Sequence, residues 1–317
     1  MADPTRTVFM GTPDFAVPSL DALVDAGLAP VAVVTVPDKP AGRGQSVRAS
    51  AVKRAAERHG IGVLQPASLR DPAFAAALRD LRPDVLAVVA FRILPPEVYE
   101  AARLGAFNLH GSLLPAYRGA APIQRALMDG VAETGVTTFF LERTVDTGRV
   151  ILRRPLPVGP DDTAGEVHGR LAALGAEAVV ETVRRIAAGE AAAEPQDDRL
   201  ASRAPKIFRD DARVDWSRPA RAVHDHVRAL APYPGAWTEW APGGGGRETL
   251  KVLRTRVDRE GGAAGAPGAV VGADGRLVVA CGAGAVEVLE VQREGKRRMD
   301  AAAFLHGAEL GPGAVLG

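Results

Sequence analysis

DVLAVVAF, residues 84–91, decides the fold. Every residue after Asp84 is apolar, with no polar alternation. A strand of that kind is buried on both faces. The same signal recurs outward in both directions. TRTVFMG (5–11), PVAVVTVP (30–37), IGVLQP (61–66) and GAFNLH (105–110) read as further strands. Between them lie helical patterns: PDFAVPSLDALVDAG (13–27), stopped by Gly27, SVRASAVKRAAERHG (46–60), DPAFAAALRDL (71–81) and PPEVYEAAR (95–103). In the third of these, Asp71 is placed to cap the helix and Pro72 to occupy its first turn. Strands alternating with helices predict a mainly parallel sheet covered on both faces. Ligands of such sheets bind beyond the carboxyl ends of the strands. The first strand–helix turn, GTPDF, lacks the glycine spacing of a dinucleotide fingerprint and the Gly-Lys of a phosphate loop.

Further along, APIQRALMDG (121–130) reads as a helix and 134–158 as two strands joined by the turn RTVDTG. Residues 162–189 form a long amphipathic pattern with Gly175 as a possible break. The polar, aperiodic stretch 190–206 reads as a linker. This gives three parts: a first domain at 1–189, the linker at 190–206 and a second domain at 207–317. After a helix at 217–231, the second part alternates short strands (AWTEW, TLKVLRTRV, GAVVGA, RLVVACG, GAVEVLEV) with Gly-rich turns and ends in a short helix, RMDAAAFLHG. That spacing suggests a small β-barrel.

Composition narrows the function. The 317 residues carry a net charge of +1. Residues 1–206 hold 24 basic and 24 acidic side chains, and 207–317 hold 15 and 14. Neither part attracts polyanions in bulk, so a nucleic-acid contact has to be a local patch. Cys281 is the single cysteine, which excludes an internal disulfide and a cysteine-based zinc site. The start MADPTRTVFMG has no signal-peptide pattern, and no apolar run approaches the ~20 residues of a membrane span. A soluble, cytoplasmic protein is expected.

Two stretches carry chemistry. In FNLHGSLLP (107–115), Asn108 and His110 are two apart on a strand and share one face. A His moves protons near neutral pH, and an Asn amide donates to a developing oxyanion. The pair lacks a carboxylate to orient the imidazole, and Asp146 in the VDTG turn is the best placed in sequence. A strand-end His is more often plain structure than a catalyst, and an Asp before Gly is more often turn chemistry. On spacing alone the plain reading therefore outweighs catalysis. The second stretch, 36–54, sets Lys39, Arg43, Arg48, Lys53 and Arg54 against Asp38 alone. Arg43, between Gly42 and Gly44, has the reach for a phosphate, whereas Arg48, Lys53 and Arg54 read as a solvated helix face.

These residues resemble a known family. FNLHGSLLPAYRGAAPIQRALMDG is similar to the Asn-x-His-x-Ser-Leu-Leu-Pro segment of the formyltransferases that use 10-formyltetrahydrofolate, and TGVTTFFLERTVDTGRVI to their segment with the Asp. GTPDFAVPSLDAL, PDKPAGRG, DARVDWS, PYPGAW and GKRRMDAAAFL extend the likeness over nearly the whole chain. The resemblance implies an α/β fold: a Rossmann-like, mainly parallel sheet domain followed by a smaller OB-type β-barrel. It implies formyl transfer from 10-formyltetrahydrofolate, as co-substrate, to the α-amino group of methionyl initiator tRNA, without metal and by a monomer. Asn108, His110 and Asp146 match the catalytic trio. Phe91, Ile93, Ser112, Leu113, Leu114 and Pro115 match the folate site. Lys39, Arg43, Arg297 and Arg298 are the expected tRNA contacts. Formyl transfer to an amino sugar nucleotide or a glycinamide ribonucleotide would use the same trio; the PAGRG loop speaks for tRNA. An RNA-binding protein without catalysis and a formyltetrahydrofolate hydrolase fit less well. At Arg92 the relatives usually carry Gly, and two placements of the long side chain stay open, outward or across the pocket mouth.

Overall fold

The computed structural model describes residues 5–41, 46–241, 246–272, 275–308 and 310–317. Two compact units emerge. The first comprises Met1–Pro122, Glu133–Pro157 and His168–Ala204, and the second Ile123–Ala132, Val158–Val167 and Pro205–Gly317. The second unit thus draws two short segments from between stretches of the first.

The first unit contains, in chain order, β1 (Thr7–Gly11), α1 (Val17–Asp25), β2 (Ala32–Val34), β3 (Lys39–Ala41), β4 (Ser46–Arg48), α2 (Ala51–Arg58), β5 (Val63–Leu64), α3 (Pro72–Asp80), β6 (Val85–Val89), α4 (Pro96–Tyr99) and β7 (Gly105–His110). After α5 (Pro122–Met128) come β8 (Glu133–Phe140), β9 (Val150–Pro157) and α6 (Ala164–Ala188). Seven strands form one sheet in the order β5-β2-β1-β6-β7-β8-β9. It is parallel from β5 to β7, and β8 and β9 are added antiparallel. The chain winds outward from β1 in both directions, which opens a crevice at the carboxyl edge. β6 is buried at every position, as its unbroken apolar run requires. Asp71 caps α3 through the Ala73 amide, with Pro72 in the first turn.

Two elements of the first unit differ from the sequence reading. Residues 46–48 are a return strand rather than the start of a helix: Lys39 pairs with Arg48 and Ala41 with Ser46. The helix starts only after Ser50, whose hydroxyl accepts the Lys53 amide and pairs with the Thr35 hydroxyl. A capping serine ends the extended backbone there. The second difference is α6, which runs unbroken through Gly175. A Cβ at that position would stand 2.6 Å from Leu109 Cδ2, so the glycine lets the helix close onto β7. That close approach offsets the roughly 1 kcal/mol a helical glycine costs.

The second unit holds α7 (Ala220–Leu230), β10 (Ala236–Trp240), β11 (Glu248–Arg259), β12 (Leu277–Ala280), β13 (Ala285–Arg293), β14 (Met299–Asp300) and α8 (Ala301–Gly307). Its antiparallel sheet runs β10-β11-β13-β12, with β14 on β13. The sheet curves as a half-barrel around Trp216, Val227, Leu250, Val286 and Phe304. Of the expected strand GAVVGA, residues 268–272 do not form a regular strand; Ala269 and Val270 make isolated bridges to Val315 and Val279. On β13, Glu287 accepts hydrogen bonds from Arg276 and Arg256. Those bonds, Arg276 foremost, hold its carboxyl down at about 2, from the ordinary 4.5, against the opposing effect of burial. The depressed value means that Glu287 contributes full stability above 4.5 and loses it as pH falls toward about 2. Glu287→Gln is expected to flatten the acid-side fall in stability across that window, read by denaturation at stepped pH. Parallel profiles for the two proteins would contradict it.

Candidate active site

The edge strand of the parallel set, β7, carries the site. Gly11, Val89 and Leu109 lie level in register, so His110 emerges one residue past the carboxyl edge. By the alternation of a strand, Asn108 and His110 continue the face of Ala106. That face is packed by Val8, Leu86, Val88 and Phe74. Leu109 takes the opposite face, against Gly175 of α6.

His110 is 6% exposed. Its Nε2 donates to the Tyr117 carbonyl at 2.8 Å, because a carbonyl only accepts. The neutral ring therefore carries its proton on Nε2 and leaves Nδ1 as the free atom. Nδ1 stands 3.9 Å from Asp146 Oδ2, beyond hydrogen-bond length. A backbone carbonyl thus orients the imidazole, and the carboxylate faces its other nitrogen. Asp146 sits in the left-handed region at φ 57°. Its Oδ2 accepts the Gly119 amide at 2.9 Å. Gly119 itself is at φ 128°, where a Cβ would press on the Ala204 carbonyl at 2.5 Å. Asn108 is half-buried, and among the described residues its amide has no hydrogen-bond partner.

The GSLLP segment is pinned from the neighbouring strands. Thr137, opposite His110 on β8, donates through Oγ1 to the Ser112 carbonyl at 2.7 Å and accepts the Leu114 amide at 3.0 Å. Ser112 Oγ donates to the Ala116 carbonyl at 2.6 Å, and Arg153 Nε donates to the Leu114 carbonyl at 2.8 Å. Ser112 and Leu114 are buried, so their side chains hold the loop. Leu113 and Pro115 are half-exposed. Phe91 and Ile93 follow β6 at the same edge, Phe91 half-buried on the core and Ile93 75% exposed. Arg92 lies over the Phe91 ring and donates to the carbonyls of Pro66 and Ala67, which follow β5. In the strand order β5 is on the far side of β6 from β7, so the guanidinium turns away from His110.

The expected tRNA contacts are dispersed. Lys39 opens the β3–β4 hairpin, exposed, while Arg43 lies outside the described residues. Asp38, beside Lys39, is tied to Lys53 and Gln65. Arg297 and Arg298 are exposed in the second unit, between β13 and β14. Spacing overlooked Tyr117, Thr137, Gly119 and Gln196, which act on the site through backbone or from far along the chain. Among the described residues, no cluster of three or more His, Cys, Asp or Glu is placed to hold a metal ion.

A Rossmann-like sheet, a half-barrel of the OB type and an Asn–His–Asp set at the sheet edge together define a class. Residues 5–183 match the family model described as formyl transferase, and residues 206–309 that of the formyl transferase C-terminal domain. The chain belongs to the formyl transferase family. Within that family it is 49% identical over 307 residues to the methionyl-tRNA formyltransferase of Chlorobium luteolum, covering 95% of this chain and 96% of the relative. It is 46% identical to the enzyme of the same name from Porphyromonas gingivalis, with 96% of each chain covered. The fold is also that of the N-formyltransferase from Helicobacter canadensis, solved with folinic acid and dTDP-3-aminofucose. That likeness has a TM-score of 0.66 at 16% identity, over 90% of this chain and 99% of the other.

Proposed function

We propose that the chain transfers the formyl group of 10-formyltetrahydrofolate to the α-amino group of methionyl initiator tRNA, giving N-formylmethionyl-tRNA for translation initiation. The observation that carries the chemistry is the unpartnered Asn108 amide next to a His110 whose Nδ1 is unspent and faces Asp146 at 3.9 Å. The choice of acceptor rests on relatives named methionyl-tRNA formyltransferase at 44–49% identity along almost the whole chain.

In this reading the amine of the aminoacyl group attacks the formyl carbon. A new C–N bond forms and the carbonyl oxygen takes the electron pair. Asn108 donates to that oxygen, an arrangement whose strength comes from being preset before the charge develops. The intermediate then collapses, the bond from carbon to the folate nitrogen breaks, and a proton passes from the attacking amine to the leaving one. With Nε2 committed to Tyr117, His110 Nδ1 is the ring atom that relays it. Asp146 balances the positive charge while the ring holds the proton. Phe91, Ile93, Leu113 and Pro115 offer the folate an apolar wall at the crevice, on a loop that Ser112 and Leu114 hold in place. Lys39 reaches for tRNA from the hairpin, Arg297 and Arg298 from the second unit, and Arg43 of the PAGRG stretch is the fourth expected contact. Each is a point contact, in keeping with the chain's near-neutral charge.

No helix among the described residues is long and apolar enough to cross a membrane. A role in translation initiation goes with a cytoplasmic location and with action as a monomer, the latter checked by light scattering. The defining experiment offers methionyl initiator tRNA, methionyl elongator tRNA and an amino sugar nucleotide in parallel, with 10-formyltetrahydrofolate as donor. Formylation of the initiator alone is expected; turnover only on the sugar would overturn the acceptor assignment. Asn108→Ala is expected to lower kcat by about 10²–10³, the usual loss of one oxyanion donor, without a change in melting temperature. Near-full turnover would remove Asn108 from the mechanism.

A further inference from the structure

One residue in the polar stretch 190–206 is bonded on every side. Gln196 Oε1 accepts from Arg118 Nε at 3.1 Å and Arg118 Nη2 at 2.7 Å. Its Nε2 donates to the carbonyl of Asp146 at 3.0 Å and of Gly148 at 2.8 Å. A side-chain amide has two acceptor lone pairs and two donor hydrogens, and all four are used. The partners lie 78 and 50 residues away in sequence, so one side chain joins two distant turns.

Both turns belong to the site. On one side, Arg118 precedes Gly119, whose amide holds the Asp146 carboxylate. On the other, Nε2 holds the carbonyl of Asp146 itself. Asp146 is in a backbone region that strains a residue with a Cβ and persists only where its surroundings over-determine it. The constraint on its carbonyl is the Gln196 bond, and the constraint on its carboxylate comes from the turn that Gln196 fastens through Arg118. Arg118 is further paired with Asp198 at 2.8 Å, and Ser202 Oγ accepts the Tyr117 amide at 2.8 Å. The Tyr117 carbonyl orients His110. The stretch 190–206 thus braces the turns that face both nitrogens of the imidazole.

We propose that Gln196 is a positioning residue for formyl transfer, holding the Asp146 turn so that its carboxylate faces His110 Nδ1. The role rests on the catalytic reading of Asp146. It predicts that Gln196 acts through Asp146 and on little else. A misplacement of the order of 1 Å at a reacting group costs about 10²-fold in rate. Gln196→Ala is therefore expected to lower kcat by roughly 10–100-fold with the KM for the folate donor unchanged. Gln196→Glu keeps the acceptors for Arg118 but turns an acid oxygen on the two carbonyls. It is expected to fold as the parent does and to lose a similar factor in kcat.

The test is a double-mutant cycle on kcat with Gln196→Ala, Asp146→Asn and the pair, each variant first shown to melt cooperatively. The pair is expected to be no slower than Asp146→Asn alone. Losses that multiply would show Gln196 working independently of Asp146 and overturn the proposal. So would full turnover in Gln196→Glu. Either result leaves the catalytic reading of Asp146 standing. Full turnover in Asp146→Asn would instead remove that reading, and the positioning role with it.

Discussion

His110→Ala is expected to lower kcat for formyl transfer by about 10²–10⁴, the range for losing a general acid–base group. The ring is 6% exposed, yet among the described residues its one hydrogen bond is to the Tyr117 carbonyl, and Asp146 is 3.9 Å away. Removal of the imidazole therefore takes one hydrogen bond from the Tyr117 carbonyl and leaves a carboxylate already held by the Gly119 amide. The fold should survive, with the rate carrying the loss. His110→Gln separates proton transfer from hydrogen bonding, since Gln can still donate to Tyr117 but cannot relay a proton at neutral pH. Both variants are expected to be similarly slow at saturating donor and tRNA. Near-parental kcat in His110→Gln would mean that the residue only shapes the loop.

Arg228→Ala is expected to destabilise the second unit by about 3–5 kcal/mol, the cost of leaving a buried charge without its partner. Arg228 and Asp225 are 5% and 8% exposed and paired at 2.7 Å on α7. The same guanidinium donates to the carbonyls of Gly159 and Asp162, which belong to the segment Val158–Val167 of that unit. Nearby, His224 Nε2 donates to the Pro160 carbonyl at 3.0 Å. α7 thus secures the segment between β9 and α6 by bonds to its backbone. Trp216, Trp237 and Trp240, all three tryptophans of the chain, lie in this unit, so their fluorescence in urea reports its unfolding. Asp225→Ala/Arg228→Ala should lose less than Arg228→Ala alone, because it removes the uncompensated carboxylate. A loss under about 1 kcal/mol for Arg228→Ala would mark the pair as no better than a surface one.

Much of the fold is legible in the sequence. The apolar run at 84–91 became β6, buried at every position, and the helix with Asp71 and Pro72 at its start became α3. The RTVDTG turn joins β8 to β9 as expected. Asn108 and His110 share a face because a strand alternates, which needs no tertiary information. The pairing of residues 39–41 with 46–48 was hidden: Lys, Arg and Ser in helical spacing conceal a strand whose partner lies a few residues back in the chain. Arg92 was open in sequence because its direction depends on the carbonyls after β5, a strand three places along the sheet.

The amino-acid sequence by itself determined the alternation of strands and helices, the edge on which the chemistry sits and the identity of the family, because periodicity and local motifs survive in one dimension. Only the tertiary structure decided what holds the site. The bond of His110 to the Tyr117 carbonyl, those of the Thr137 hydroxyl that pin GSLLP and that of the Gln196 amide to the Asp146 carbonyl are all bonds to backbone groups. Every residue but proline offers the same backbone donor and acceptor. Which of them a side chain meets is set by packing across tens of residues, and it leaves no pattern to read along the chain.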